Sequence, residues 1–135
     1  MKVLVLAVGR LRAPFADDVA HYSKLLSRYA RVEVVEVEEA DRLARRIPDR
    51  AHVVVLDEHG RAHDSVGFSR WLEQRRQSGL DLVFVIGGPF GVELEQRHEL
   101  LSFGPMTLPF QLARVVLLEQ LYRAHKILAG EPYHH

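Results

Sequence analysis

The sequence predicts an α/β fold in which a mostly parallel sheet is sandwiched by helices, and three observations carry that expectation. Four β-rich apolar runs, at residues 2–9, 31–38, 52–57 and 80–86, alternate with helical patterns through most of the chain. Three of those runs are apolar on both faces, as parallel strands covered on both sides are. No repeat, low-complexity tract or linker interrupts the 135 residues, so 1–135 reads as one domain.

The first run ends on Gly9, after which Pro14 precedes a helix with Phe15, Val19, Tyr22 and Leu26 at helical spacing. Asp17 and Asp18 sit in its first turn, where the helix dipole favours carboxylates. Residues 31–38 mix Val32, Val34, Val35 and Val37 with Glu33, Glu36 and Glu38, a half-exposed strand with an acidic outer face. A short arginine-rich helix is expected over 40–47, stopping before Pro48. Residues 52–57 form a buried strand and 58–60 its turn. Asp64 or Ser65 then caps a helix through Arg76 that buries Val66, Phe68, Trp71 and Leu72. Residues 80–86 run as a strand into a glycine pair. The remaining expectations are a helix over 92–101, a short strand over 106–108 and a long helix over 111–129.

Composition removes several function classes. The chain is 47% hydrophobic and 27% charged, ordinary for a globular protein. Its longest apolar run, residues 3–8, is far below the roughly 20 residues of a membrane-spanning helix. No secretory signal pattern opens the chain. Zero cysteines exclude disulfides, thiolate metal sites and thiol catalysis, in keeping with a cytoplasmic protein. Eighteen basic residues balance eighteen acidic ones, which argues against a free-standing nonspecific nucleic-acid binder. His59 and His63 have metal-ligand spacing but straddle a glycine turn, so no metal site is expected. There is no Gly-x-Ser-x-Gly elbow for a serine hydrolase.

Two segments can carry chemistry. A buried parallel strand delivers Gly87 and Gly88 to the carboxyl edge of the sheet, where open α/β folds bind ligands. Missing Cβ atoms let backbone approach a ligand closely; a bare strand-to-helix turn accounts for the pair equally well. The segment Ser102 to Pro109 is punctuated by Gly104, Pro105 and Pro109. Its backbone groups can serve an adenine-like ring, although chemistry alone favours a connecting loop.

The final helix has an apolar face of Leu117, Leu118, Leu121, Ala124 and Leu128. On its other side Leu112, Val115 and Val116 flank a polar stripe of Glu119, Arg123 and Lys126. Two apolar sides in so small a chain point to a subunit interface. Glu119 and Arg123 are spaced for an intrahelical ion pair worth about 0.3–0.5 kcal/mol. Arg114 and His125 share another edge. Of the tail histidines, His135 reads as the remnant of a tag rather than as a catalytic group.

Taken in order, Val-Leu-Ala-Val-Gly9, Ile86-Gly-Gly-Pro-Phe-Gly91, Met-Thr-Leu-Pro109, Glu119-Gln-Leu-Tyr-Arg-Ala124 and Glu131-Pro-Tyr-His134 resemble the ribosomal RNA large subunit methyltransferase H family of the SPOUT superfamily. The resemblance spans nearly the whole chain. It implies an S-adenosylmethionine-dependent homodimer with a trefoil knot near the C-terminus. It also implies methylation of N3 of a pseudouridine in 23S rRNA on the assembled ribosome, in the cytoplasm and with no metal or membrane. By position, the donor would lie among Leu56, Gly87, Gly88, Phe103, Gly104, Pro105, Met106, Thr107, Leu108 and Pro109. Arg123, Tyr133 and His134 match the positions that face the target base, beside the partner subunit's donor pocket.

The chain departs from the family pattern twice. Phe110 stands where many members have His, and the stretch between Val37 and His52 is short. Two other readings stay open at this point. One is a ribosome assembly factor that kept the fold without methyl transfer; the other is a flavodoxin-like nucleotide module.

Overall fold

The computed structural model describes residues 1–88 and 91–133. Five strands form a single sheet in the order β2-β1-β4-β3-β5, and every pair is parallel. They are β1 (Lys2–Val8), β2 (Arg31–Val37), β3 (Ala51–Ala62), β4 (Asp81–Ile86) and β5 (Glu99–Ser102). Three helices, α1 (Phe15–Leu26), α2 (Ser65–Ser78) and α3 (Phe110–Leu128), supply the crossovers and the closing element. The expected fold class holds.

Strand alternation divides the core in two. Val3, Val5, Ala7, Leu82, Phe84 and Ile86 point to one face, where α1, α2 and α3 bury Leu26, Trp71, Leu72, Leu117 and Leu121 against them. Leu4, Leu6, Val83 and Val85 point to the other, which carries no α-helix among the described residues. Leu43, Ile47, Val92 and Leu94 from irregular segments cover it instead.

Several local expectations change. The helix expected over 40–47 is two single 3₁₀ turns, Ala40–Arg42 and Ala44–Arg46, because Leu43 is its only fully buried side chain. The turn at 58–60 lies inside β3, as a register shift against β5 between Leu56 and Arg61. A Cβ at Gly60 would stand 2.6 Å from the Leu100 carbonyl carbon, so only glycine lets the two strands meet there.

The helix expected over 92–101 does not form. The exposed side of β3 needs partners for its backbone groups. His98 supplies them twice: its N–H donates to the Val53 carbonyl at 2.8 Å, and its Nδ1 accepts from the Val53 N–H at 2.9 Å. Glu99–Ser102 then continues as β5, with Leu101 and Leu100 on opposite faces. The strand expected over 106–108 is irregular, since Pro105 and Pro109 flank it and cannot donate to a ladder. Asp64 caps α2, accepting from the Gly67 N–H at 2.7 Å, and Gly79 ends it in the left-handed region.

Candidate functional site: a cavity at the carboxyl edge of the sheet

All five strands point the same way, so their carboxyl ends converge on one edge of the sheet. There a cavity of about 800 Å³ opens, a size suited to a small organic ligand. Its floor is Leu56, Ile86 and Leu101, from β3, β4 and β5. Gly87, Gly88, Gly91 and Val92 form one wall. Phe103, Gly104, Met106, Thr107, Leu108, Pro109 and Phe110 form the other.

The glycine wall is shaped by close approach. A Cβ on Gly87 would stand 2.7 Å from the Gly91 carbonyl carbon, so the loop could not fold back with any other residue there. The Gly91 N–H donates to the Gly88 carbonyl at 2.9 Å and closes the turn. Opposite, Ser102 organises the start of the second wall. Its Oγ accepts from the Gly104 N–H at 3.0 Å and shares its proton between the Glu58 and Gly104 carbonyls. Beyond it, the N–H groups of Met106, Thr107 and Leu108 have no hydrogen-bond partner among the described residues. They form a set of donors beside apolar side chains, which suits a flat heterocycle with polar edges.

Charge narrows the ligand further. The ionisable groups lining the cavity are Asp57, Glu58 and His59; no lysine or arginine is among them. Glu58 accepts from the Thr107 hydroxyl at 3.3 Å, tying β3 to the far wall. Asp57 accepts from the His59 N–H at 2.8 Å. An acidic rim favours a cationic ligand and opposes a phosphorylated one. It counts against a flavodoxin-like nucleotide module.

Nine of the ten donor-pocket candidates thus line one cavity; Pro105 is not among its lining residues. Asp57, Glu58, His59 and Phe110 join the lining unforeseen. Asp57 ends the expected strand over 52–57, Glu58 and His59 fall in the expected turn over 58–60, and Phe110 directly follows Pro109 at the start of α3.

The second group of candidates lies elsewhere. Arg123 donates to Glu119 at 2.7 Å, the expected intrahelical pair, and its guanidinium stacks 4.9 Å from the Tyr133 ring centre. Tyr133 meets Tyr122 edge-to-face at 4.8 Å. Glu119 raises the Arg123 pKa, while burial, then the Glu119 charge, raises that of Tyr133. Arg123 is therefore a fixed cation and Tyr133 a neutral phenol at neutral pH. His134 lies outside the described residues, as does His135. Phe110 and Arg123 are thirteen positions apart on the helix, roughly 20 Å along the axis, so Arg123 lies far from the cavity.

Comparisons with known proteins give the family. The family model described as "Predicted SPOUT methyltransferase" matches residues 1–134. A Ribosomal RNA large subunit methyltransferase H of Rubrobacter xylanophilus is 49% identical, with 98% of each chain covered. Proteins of the same name from Gemmatimonas aurantiaca and Pseudothermotoga lettingae are 40% and 36% identical, over 99% and 100% of both chains. The first of these alignments runs to 154 positions, more than the 135 residues of this chain, so that relative carries segments missing here. With matches running nearly end to end, and with a parallel sheet that opens an acidic cavity at its carboxyl edge, the chain belongs to the SPOUT methyltransferase family.

Proposed function

We propose that this protein is an S-adenosylmethionine-dependent methyltransferase of large-subunit rRNA, acting on N3 of a pseudouridine in 23S rRNA in the cytoplasm. The observation that carries the reading is the cavity, which is apolar at its floor, acidic at its rim and supplied with free backbone donors. The full-length relatives named as large-subunit rRNA methyltransferases supply the substrate class.

Bound there, S-adenosylmethionine would present an electrophilic sulfonium methyl for in-line displacement, a reaction governed by positioning. Gly87 and Gly88 would admit the donor against backbone, the free amides of Met106 to Leu108 would read its ring edge, and Asp57 and Glu58 would hold its positive charge near the rim. The N3 proton must also leave the target base. Arg123 would stabilise the developing negative charge on the ring, and Tyr133, held as a phenol, would orient the base by donating a hydrogen bond. That assigns the proton to His134, whose side-chain type titrates near neutrality.

The two groups would meet across a homodimer. Leu112, Val115 and Val116 leave a second apolar side of α3 only half-buried in one protomer, as a subunit interface requires. In that arrangement the tail of one protomer completes the cavity of its partner. The C-terminal trefoil knot belongs to the same proposal.

Titration calorimetry with S-adenosylmethionine, followed by methylation of ribosomes from a strain lacking the modification, tests the reading. Saturable binding with methyl transfer is expected. Binding of ribosomes without turnover would move the protein to the class of non-catalytic assembly factors.

A further inference from the structure

The loop that follows β1 is held with unusual effort for an exposed segment. The Gly9 N–H donates to the Val37 carbonyl at 2.8 Å. Arg114 of α3, fully buried, donates from Nη2 to the Val8 carbonyl at 2.9 Å and the Gly9 carbonyl at 2.7 Å. Gln111, also buried, donates to the Arg10 carbonyl at 3.0 Å and accepts from the Arg12 N–H at 2.7 Å. The Leu11 N–H donates to Glu36, which also accepts from Arg114 Nη1 at 3.1 Å. Burying a guanidinium is expensive, and here it fixes the backbone of Val8 and Gly9 and holds Glu36 in place for Leu11.

That backbone presents two exposed arginines, Arg10 and Arg12, and neither pairs with a carboxylate among the described residues. Glu36, the acidic group of the loop's framework, is already engaged by Arg114 and the Leu11 N–H. The loop also borders the donor cavity. A Cβ on Gly9 would stand 3.3 Å from the ring of Phe110, and a Cβ on Gly88 would stand 3.5 Å from the Val8 side chain; Phe110 and Gly88 both line the cavity.

We propose that Arg10 and Arg12 are a preorganised grip for the sugar-phosphate backbone of the RNA substrate, fixed beside the methyl-donor cavity by Gln111, Arg114 and Glu36. The inference rests on the rRNA methyltransferase reading above. Guanidinium forks match phosphate oxygens in pairs, and a fixed loop loses little entropy on engaging them. Such a grip is needed because the chain is electrically neutral overall and the cavity rim is acidic. Attraction for a polyanion must then come from local cations outside the cavity.

The test uses the wild type, the R10A/R12A double variant and the R10K/R12K double variant. Binding to ribosomes lacking the methyl mark is measured between 50 and 200 mM KCl by anisotropy of the labelled protein, alongside S-adenosylmethionine affinity by calorimetry. The alanine pair should bind ribosomes about tenfold or more weakly at the lowest salt, with the slope of log Kd against log salt reduced by about 1.5–2. Donor affinity should stay within twofold, and the lysine pair should restore most of the salt slope. A wild-type slope in the alanine pair overturns the grip, as does a parallel fall in donor affinity. Failure of the wild type to bind ribosomes overturns it too. A reduced slope in the alanine pair with no methyl transfer by the wild type would instead uphold the grip and sink the enzymatic reading. Methyl transfer with an unchanged slope would do the reverse.

Discussion

The two ends of α3 are built on different principles. At its N-terminal end, Gln111 and Arg114 are buried and bond to backbone from β1 and the loop after it. At its C-terminal end, Arg123, Lys126 and Tyr133 hold one another and their neighbours by ion pairs and ring contacts near the surface. Tyr29 donates to Glu131 at 3.0 Å, and Glu131 also accepts from Lys126 at 3.0 Å. Buried bonds to backbone fix geometry; surface pairs are worth little and exchange readily. One end therefore fixes the loop after β1 beside the cavity, and the other is held by contacts that can rearrange.

Removing the buried cation is the strongest way to break that contrast. Arg114→Ala strips the Val8 and Gly9 carbonyls of their donors, and a loss of about 3 kcal/mol in unfolding free energy is expected. Chemical denaturation would measure it. A loss below about 1 kcal/mol would mean that water replaces the guanidinium freely and the end is not locked.

The glycine wall gives a sharper pair. Gly87→Ala forces a methyl group to 2.7 Å from Gly91 and should cost about 1–3 kcal/mol. Gly88→Ala meets only the Val8 side chain at 3.5 Å and should change stability by less than about 0.5 kcal/mol. Equal melting temperatures for the two variants would contradict close approach as the reason for Gly87.

At the other end, His125 offers a smaller, pH-dependent effect. Buried beside Tyr29, with its Nε2 unpaired among the described residues, it has its pKa lowered by desolvation from 6.5 to about 4. Between those values the unfolded chain binds a proton that the folded chain refuses. Stability should hold above pH 6.5 and fall as pH drops towards 4. His125→Phe should flatten that part of the melting profile; an unchanged slope would place the acid sensitivity elsewhere.

Much of this was readable in advance, and the failures have physical causes. α1, β1 and the glycine pair followed from local periodicity and strand composition. The cavity needed no single decisive residue, because strand ends and glycines make much of it. Arg114 was placed only on an edge of its helix, since its partners Val8, Gly9 and Glu36 lie 78 to 106 residues away in sequence. The pattern at 92–101 read as a helix because nothing local reveals that β3 still needs a neighbour. Asp57, at the end of the expected strand, and Glu58 and His59, in the expected turn, drew no notice for the same reason: nothing local reveals that β3 continues past them to pair with β5.

The central claim is that donor binding is complete in one protomer while catalysis needs a tail from elsewhere. The measurement that tests it most directly is S-adenosylmethionine affinity and ribosome methylation, compared side by side for the wild type and Arg123→Ala. The account predicts donor affinity within about twofold of wild type and methylation reduced by about a hundredfold or more, the scale of a lost transition-state contact. A parallel loss of both would contradict it, because Arg123 would then be supporting the cavity itself.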